Sequence, residues 1–352
     1  MATTDLALRP KSLTFGAMNL YAAIGRPLFL SLPPEAAHRF ANRLLGLPLP
    51  WARIGDASDD QRLAVTLAGV PLRNPLGLAA GFDKTCAHLD ALGALGFGYV
   101  VGGTITRAPR AGNPKPRIAR YPKRRSMVNA MGLPNPGAEV AARNLARTSG
   151  GPAPRFVSLA DEAVDDAVAS LDLLSPLVEG VELNASCPNV SWGRDRDNES
   201  HLRELVTAFV ERTPKPVFVK LPPFTTETER SVVLALARIV HEAGAAGLTC
   251  SNTRLVADRR VAVGEGGLSG RALWPRTPDI VAEVREATGG DLPVNASGGV
   301  FTAADALACL EAGAATVQVY TGLIYEGPGI VGTITSRLAA SLPAGTPVLP
   351  PA

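Results

Sequence analysis

Cysteine is scarce in this chain: the 352 residues hold four, Cys86, Cys187, Cys250 and Cys309. They lie far apart with no C-x-x-C pair, so the usual spacing of a zinc site or an iron–sulfur cluster is absent and no metal is expected. They form no disulfide framework either, which points to reduced thiols and a cytosolic protein. An excess of one charge is also missing, since Lys+Arg number 35 and Asp+Glu 32, a formal net charge of +3. The basic run from Lys115 to Arg125 carries no interleaved aromatics and no recognition motif, so nucleic acid is not an expected partner. No apolar run approaches the length of a membrane span. The first residues, MATTDLALRPKSLTF, lack the order of a secretory signal.

What is present is material for a large core. Hydrophobic residues make up 46% of the chain and charged residues only 19%, enough to bury a sizeable interior. The length suits one α/β barrel of roughly 250 residues plus an extension. From Gly77 onward, short apolar runs alternate with helical patterns. The expected strands are Gly77–Gly81, Tyr99–Thr106, Arg155–Ala160, Gly180–Ser186, Pro216–Leu221, Ala246–Asn252, Pro293–Gly299 and Thr316–Thr321. Between them Ala and Leu recur at three- and four-residue intervals over Lys84–Leu95, Ala163–Leu174, Leu202–Arg212, Glu227–His241, Thr277–Ala287, Thr302–Ala312 and Gly329–Leu342. Strands apolar on both faces imply a parallel sheet covered by helices, and eight strands close a barrel. The expected fold is therefore α/β, a (β/α)8 TIM barrel with an N-terminal helical extension. The extension is assigned to residues 1–58 and the barrel to 59–345; a doubly wound open sheet is the structural alternative.

Two segments fall outside the repeat. Arg107–Pro154, rich in Pro, Gly, Arg and Asn, is too long for a simple connection and is expected to fold over the barrel mouth. Residues 14–47 read as two short amphipathic helices broken near Arg26–Pro27 and Pro33–Pro34, with an apolar patch at Leu28, Phe29, Leu30 and Leu32. Such a pair either packs on the barrel or lies at a membrane interface, peripheral on the inner face of the cell membrane, and packing is favoured.

Active sites of such barrels lie at the C-terminal ends of the strands. Here those ends are polar: Lys84 past the first, Thr104 and Thr106 on the second, Ser158 on the third, Asn184 and Cys187 on the fourth. Lys220 closes the fifth, Ser251–Asn252–Thr253 the sixth, Gly298–Gly299 the seventh and Tyr320–Thr321 the eighth. Ser297–Gly298–Gly299 with the helix opening at Phe301–Thr302, and Tyr320–Thr321–Gly322 at the next loop, read as a phosphate cradle. A phosphorylated cofactor is thus expected. Lys220, a lysine ending an apolar strand, is costly to bury unless it meets negative charge, whether from a reduced flavin or from an internal ion pair.

Six stretches in order resemble the signatures of the dihydroorotate dehydrogenases. They are Ala79–Ala80–Gly81–Phe82–Asp83–Lys84, Gly112–Asn113–Pro114–Lys115–Pro116–Arg117, Asn129–Ala130–Met131–Gly132–Leu133, Asn184–Ala185–Ser186–Cys187–Pro188–Asn189, Gly266–Gly267–Leu268–Ser269–Gly270 and Ser297–Gly298–Gly299. They span nearly the whole barrel. The resemblance implies FMN held by Ala80, Gly81, Thr104, Ser158, Asn184, Lys220, Ser251, Gly270, Gly299, Tyr320 and Thr321. It implies a pyrimidine carboxylate gripped by Lys84, Asn129, Gly132, Leu133, Asn189, Asn252 and Thr253. Cys187 takes the motif position of the general base, ahead of a loop, Val190–Ser200, that would close as a lid.

The stretch mixes subtypes. Arg26–Pro27–Leu28 and Pro34–Glu35–Ala36–Ala37–His38 resemble the extension of the membrane-associated, quinone-reducing class, in which the base is typically serine, whereas Cys187 and Asn129–Ala130–Met131–Gly132–Leu133–Pro134–Asn135 resemble the soluble classes. His38 and Arg120 stand at positions that line the quinone tunnel, so quinone is the expected acceptor, with fumarate or NAD as alternatives. Rival readings are a flavoenzyme acting on another pyrimidine or cyclic amide, a non-catalytic flavin- or nucleotide-binding protein, and a phosphate-binding barrel lyase or isomerase.

Overall fold

The structure, a computed structural model, describes residues 20–148, 150–185 and 197–349. All eight apolar runs become strands of one closed parallel barrel. Ahead of it come a π-helical turn (Tyr21–Gly25), α1 (Arg26–Ser31), α2 (Pro34–Leu45), α3 (Trp51–Gly55) and an antiparallel hairpin of β1 (Val65–Leu67) with β2 (Val70–Leu72). The barrel begins with β3 (Leu76–Leu78), α4 (Leu89–Ala94) and β4 (Tyr99–Ile105). The long excursion after β4 is not loop throughout, because it forms β5 (Ile118–Tyr121), β6 (Ser126–Asn129) and α5 (Ala138–Arg147). Strand and helix then alternate: β7 (Arg155–Leu159), α6 (Val164–Leu174), β8 (Gly180–Asn184), α7 (Asp197–Arg212), β9 (Val217–Leu221), α8 (Glu227–Glu242) and β10 (Gly247–Cys250). A second excursion, β11 (Arg254–Ala257) and β12 (Glu265–Gly270), precedes α9 (Thr277–Ala287), β13 (Val294–Ser297), α10 (Ala303–Glu311), β14 (Thr316–Val319), α11 (Thr321–Glu326) and α12 (Ile330–Ser341).

The barrel order is β3, β4, β7, β8, β9, β10, β13 and β14, and β14 pairs back onto β3 through Val317↔Leu76 and Gln318↔Gly77. The strands are shorter than their apolar runs suggest, and most of the loss is at the C-terminal ends. There the regular strand ends and the chain lines a cavity, as at Ala79–Gly81, Ser251–Asn252 and Tyr320–Thr321, although Ala79, Gly81, Ser251 and Asn252 still donate to neighbouring strand ends.

At the barrel's N-terminal end Tyr99, Phe156 and Phe218 stack into a plug, with ring centroids 5.1 Å and 5.7 Å apart. Glycines face the rings because nothing larger fits: a Cβ on Gly77 would come within 2.4 Å of Tyr99 and one on Gly247 within 2.4 Å of Phe218. The β1–β2 hairpin packs Leu67 and Leu72 beneath this plug. The main core, containing Leu78, Val157, Leu183, Val219, Val284 and Ile334, lies between the strands and the helical jacket.

The two excursions meet over the opposite end. β11, β12, β6 and β5 form a four-stranded antiparallel sheet, joining segments more than a hundred residues apart, as in Gly267↔Asn129. The helix expected from Lys84 starts only at Leu89. The reason is Asp83, whose carboxylate accepts from Thr85 N–H (3.0 Å), Thr85 Oγ1 (2.8 Å) and His88 N–H (2.6 Å) and so holds the intervening residues as a turn.

At the N-terminus the break expected near Arg26–Pro27 does not occur. Arg26 is helical (φ −60°, ψ −49°) and its N–H donates to Tyr21 O, a five-residue turn that leads directly into α1. Pro27 thereby enters in the first turn of α1, directly behind the wider turn that carries the chain into it. The second break is real: Leu32 is extended (ψ 150°) ahead of Pro33.

Candidate active site

One continuous cavity of about 800 Å³ runs from α1 and α2 to the C-terminal ends of the barrel strands. That volume lies in the usual range for a site enclosing a small-molecule ligand. Its outer part is apolar, lined among others by Phe29, Leu30, Ala41, Leu44 and Trp51, and its inner part is polar.

The inner wall is built strand by strand. The β4–β7 pairing shifts between Gly103 and Ile105, leaving Thr104 at a bulge. Thr104 Oγ1 lies 3.0 Å from Ser158 Oγ and accepts from Asn184 Nδ2 at 3.2 Å. Asn252 Nδ2 donates to Asn184 Oδ1 (3.4 Å), and Asn252 Oδ1 accepts from Thr253 N–H (2.8 Å). A belt of hydroxyls and amides therefore crosses four strands, with every member holding its neighbour. Lys220, 5% exposed, reaches the same cavity from β9. Ala80, Gly81, Ser251, Gly270, Gly299, Tyr320 and Thr321 complete the wall, while Ser158 stays behind Thr104 and does not line the cavity.

The cradle at the last two strands differs in one part from the sequence expectation. Just ahead of the helix after β13, Phe301 N–H (2.9 Å) and Thr302 N–H (3.0 Å) already donate to Asp305 Oδ2. Asp305 N–H in turn donates to Thr302 Oγ1, a closed capping box. The Asp305 carboxylate thus sits at that helix end, while the Ser297–Val300 loop and the Tyr320–Gly322 turn line the cavity where a bound anion would meet them.

Over the mouth, Asn129, Gly132, Leu133, Asn252 and Thr253 line the same cavity as Lys84. Lys84 Nζ donates to Gly81 O, and burial pulls its pKa down to about 8, with Asp83 opposing and Arg117 reinforcing the shift. Asn129 is tied by its Nδ2 to Gly267 O (3.3 Å). Buried Asn135 fixes the loop that carries Gly132 and Leu133, since its Oδ1 accepts from Thr106 N–H (3.2 Å) and Gly137 N–H (2.9 Å) while Nδ2 donates to Thr106 Oγ1 (2.9 Å) and Leu133 O (2.8 Å). Cys187, Asn189 and residues 190–196 of the expected lid lie outside the described residues, and residues 197–200 of that stretch are not loop but the first turn of α7.

The outer part is clamped by charge. Arg117 makes a two-pronged contact with Glu35 (3.0 and 2.9 Å) and also donates to Ala111 O (2.8 Å). Arg120 donates to Phe29 O (2.8 Å) and to Leu32 O, so its guanidinium covers the C-terminal end of α1. His38 Nε2 bonds Phe82 O at 2.8 Å. A carbonyl only accepts, so the proton sits on Nε2 and Nδ1 is left as an acceptor. Burial, then the charge of Lys84, lowers the His38 pKa to about 4 and keeps the ring neutral. Both His38 and Arg120 line the cavity. Glu35 and Asp83 were not singled out by sequence reasoning, although each stands inside a quoted motif. Among the described residues no cluster of His, Cys, Asp and Glu is arranged to hold a metal.

Fold and site together define a (β/α)8-barrel protein with a ligand cavity at the C-terminal ends of its strands. Residues 62–342 match the family model described as dihydroorotate dehydrogenase. The chain is 39% identical over 292 residues to a dihydroorotate dehydrogenase (quinone) of Chloroflexus aurantiacus, covering 76% of this chain and 80% of that protein. It is equally 39% identical over 329 residues to one of Erythrobacter litoralis, covering 90% and 94%. The crystal structure of a DHODH from Eimeria tenella in complex with ferulenol superposes with a TM-score of 0.76 at 28% identity, covering 93% of this chain and 94% of that one. The chain belongs to the dihydroorotate dehydrogenase family, and with it to the flavin-dependent oxidoreductases. The residues present fit such a cofactor: the cavity offers a buried cation, a belt of hydroxyl and amide groups, and two glycine-containing loops at the strand ends.

Proposed function

We propose that this protein oxidises dihydroorotate to orotate with FMN as cofactor and delivers the electrons to a quinone that reaches the site between α1 and α2. The observation that carries the reading is the single cavity joining the apolar helix pair to Lys220 and Asn252. Two ligands of unlike polarity can thereby enter one cavity.

FMN, when bound, would supply the two-electron chemistry that couples oxidation of the substrate to reduction of the quinone. The chain's own residues do the rest. Lys84 holds the substrate carboxylate as a point charge, and Asn129, Asn189 and Asn252 offer donors and acceptors to the ring amides, with Gly132, Leu133 and Thr253 closing the pocket. Cys187 removes the C5 proton. A thiol with a pKa near about 8.5 presents a useful thiolate fraction near neutral pH, so the step should speed up with pH through one ionisation. Cys187→Ala should slow flavin reduction roughly 10²–10⁴-fold. Flavin reduction at the parental rate would reassign the base. Lys220, with Thr104, Asn184, Ser251 and the Gly270, Gly299 and Tyr320–Thr321 backbone, holds the cofactor. Neutral His38 lines the cavity with Nδ1 left as an acceptor, and the exposed side of α1 and α2 rests on a membrane surface.

The acceptor route is tested with Ala41→Trp, which fills the apolar arm and leaves the strand ends untouched. Anaerobic reduction of the yellow protein by dihydroorotate should be preserved, while reoxidation by quinone slows at least about tenfold. Unchanged reoxidation, or recovery of the colour by fumarate or NAD in place of quinone, would overturn the quinone assignment.

A further inference from the structure

From the cavity floor, where Lys220 and Gln318 line it, a closed polar ring extends into the barrel interior. Lys220 Nζ donates to Gln318 Oε1 (3.5 Å), Gln318 Nε2 donates to Tyr99 OH (3.2 Å), and Tyr99 OH lies 2.8 Å from Thr316 Oγ1. Thr316 Oγ1 donates to Asn295 Oδ1 (2.7 Å), Asn295 Nδ2 to Thr249 Oγ1 (3.4 Å), and Thr249 Oγ1 to Glu182 Oε2 (2.9 Å). Glu182 Oε1, 3.7 Å from Lys220 Nζ, closes the circuit and accepts no hydrogen bond of its own. Both charges are buried, with Glu182 1% and Lys220 5% exposed. They are not equivalent, because Lys220 lines the cavity and Glu182 does not.

Burying a charged pair in this way adds little to stability over an apolar pair of similar volume. What the carboxylate changes is the field at the cavity floor. Lys220 alone would present a full positive charge to the cofactor. With Glu182 behind it the pair is close to neutral, and the ring fixes how far the ammonium can move.

We infer that Glu182 is a positioning residue that holds Lys220 from below, offsets its charge and keeps the reduction potential of the bound flavin low. The inference rests on the flavin reading above and deepens it. A reduced flavin is anionic, so a negative charge behind its cationic partner disfavours reduction and makes the reduced cofactor the stronger donor to an acceptor. At the effective dielectric of a protein interior, a buried unit charge one residue away shifts such an equilibrium by roughly tenfold or more.

The test uses the flavin-loaded full chain, equilibrated anaerobically with a reference dye, and sulfite as a second probe, because sulfite addition to an oxidised flavin is favoured by positive charge beside it. Glu182→Gln should raise the reduced-to-oxidised ratio at a fixed potential about tenfold, which is about 30 mV for a two-electron couple, and should tighten sulfite binding in parallel. Glu182→Asp keeps the charge but draws it back from Lys220, so it should shift both readings in the same direction by less. A purely structural role would lower melting temperature or flavin content without moving either reading. If Glu182→Gln holds flavin and keeps the parental potential and sulfite affinity, or shifts them the other way, the inference is overturned. Should Glu182→Gln not retain flavin, Glu182→Asp decides, and no shift there overturns it equally. A parent protein that binds no flavin would overturn the flavin reading itself, a result distinguishable from all of these.

Discussion

Lys84 shows how placement at a barrel mouth becomes function at the scale of one residue. It sits on a turn set by the Asp83 carboxylate, and burial pulls its pKa down to about 8. In the free enzyme the ammonium is therefore charged below about pH 8 and neutral above it. Affinity for the anionic product orotate should be highest below pH 8 and weaken as pH rises through that value, approaching tenfold per unit where no other group titrates. Lys84→Met should bind about 10–100-fold more weakly at pH 7, the span for a hydrogen bond to a charged group, and show no break near pH 8. Titration of flavin absorbance with orotate reads both effects. Equal affinities for parent and variant would remove Lys84 from the carboxylate site.

At the scale of elements, the docking of α2 on the barrel depends on His38 as well as on Glu35. The folded pKa of His38, about 4, lies below its ordinary 6.5. A freed imidazole binds its proton more readily than the docked one, so docking is strongest above about pH 6.5 and weakens as pH falls towards 4. Hydrogen exchange over Pro34–Leu45 should therefore quicken between pH 6.5 and 4 after correction for intrinsic rates, and His38→Gln should flatten that dependence. A parental profile in the variant would assign the effect to another group.

The same scale shows what the sequence could and could not disclose. All eight barrel strands were legible because both faces of each are apolar, a pattern that helices on one side and a packed interior on the other impose. Their C-terminal ends were overread because residues such as Ser251 and Tyr320 continue the run beyond the regular strand, where the chain lines the cavity. α5 was hidden inside a stretch whose Pro and Gly content suggested loop. The β5–β6–β12–β11 sheet escaped notice because its two local hairpins, β5–β6 and β11–β12, are joined only by the β6–β12 pairing, which spans more than a hundred residues. Most of the cavity wall was legible from polar strand ends and ordered motifs, whereas the ring extending from its floor was not. Its signal is a polar residue inside an otherwise apolar strand, as with Glu182, Asn295 and Gln318, and such a residue declares no partner until the barrel closes.

For the whole molecule the decisive asymmetry is in the surface. Among the described residues, large exposed hydrophobics concentrate in the N-terminal stretch: Leu20 (61% exposed), Ile24 (61%), Leu28 (48%), Phe40 (38%), Leu47 (48%) and Leu49 (41%). Exposed Arg39, Arg43 and Arg53 lie among them. No described helix is long and apolar enough to cross a bilayer, so an attachment through this surface would be peripheral, driven by apolar burial and by attraction to anionic lipid. The apolar arm of the cavity reaches the same elements through Tyr21, Phe29, Leu44 and Leu49, which would let a lipid-dissolved quinone enter without crossing water. The protein should therefore co-sediment with vesicles containing anionic lipid, less so as salt is raised. Leu28 and Phe40 do not line the cavity, so Leu28→Glu combined with Phe40→Glu should release the protein from vesicles and slow turnover of a long-chain quinone embedded in them. Turnover of a short, water-soluble quinone should stay within about twofold of the parent. A parent protein that remains in the supernatant, or a double variant that sediments as the parent does, would overturn the membrane contact, while loss of turnover with the soluble quinone as well would show that the substitutions had damaged the site itself.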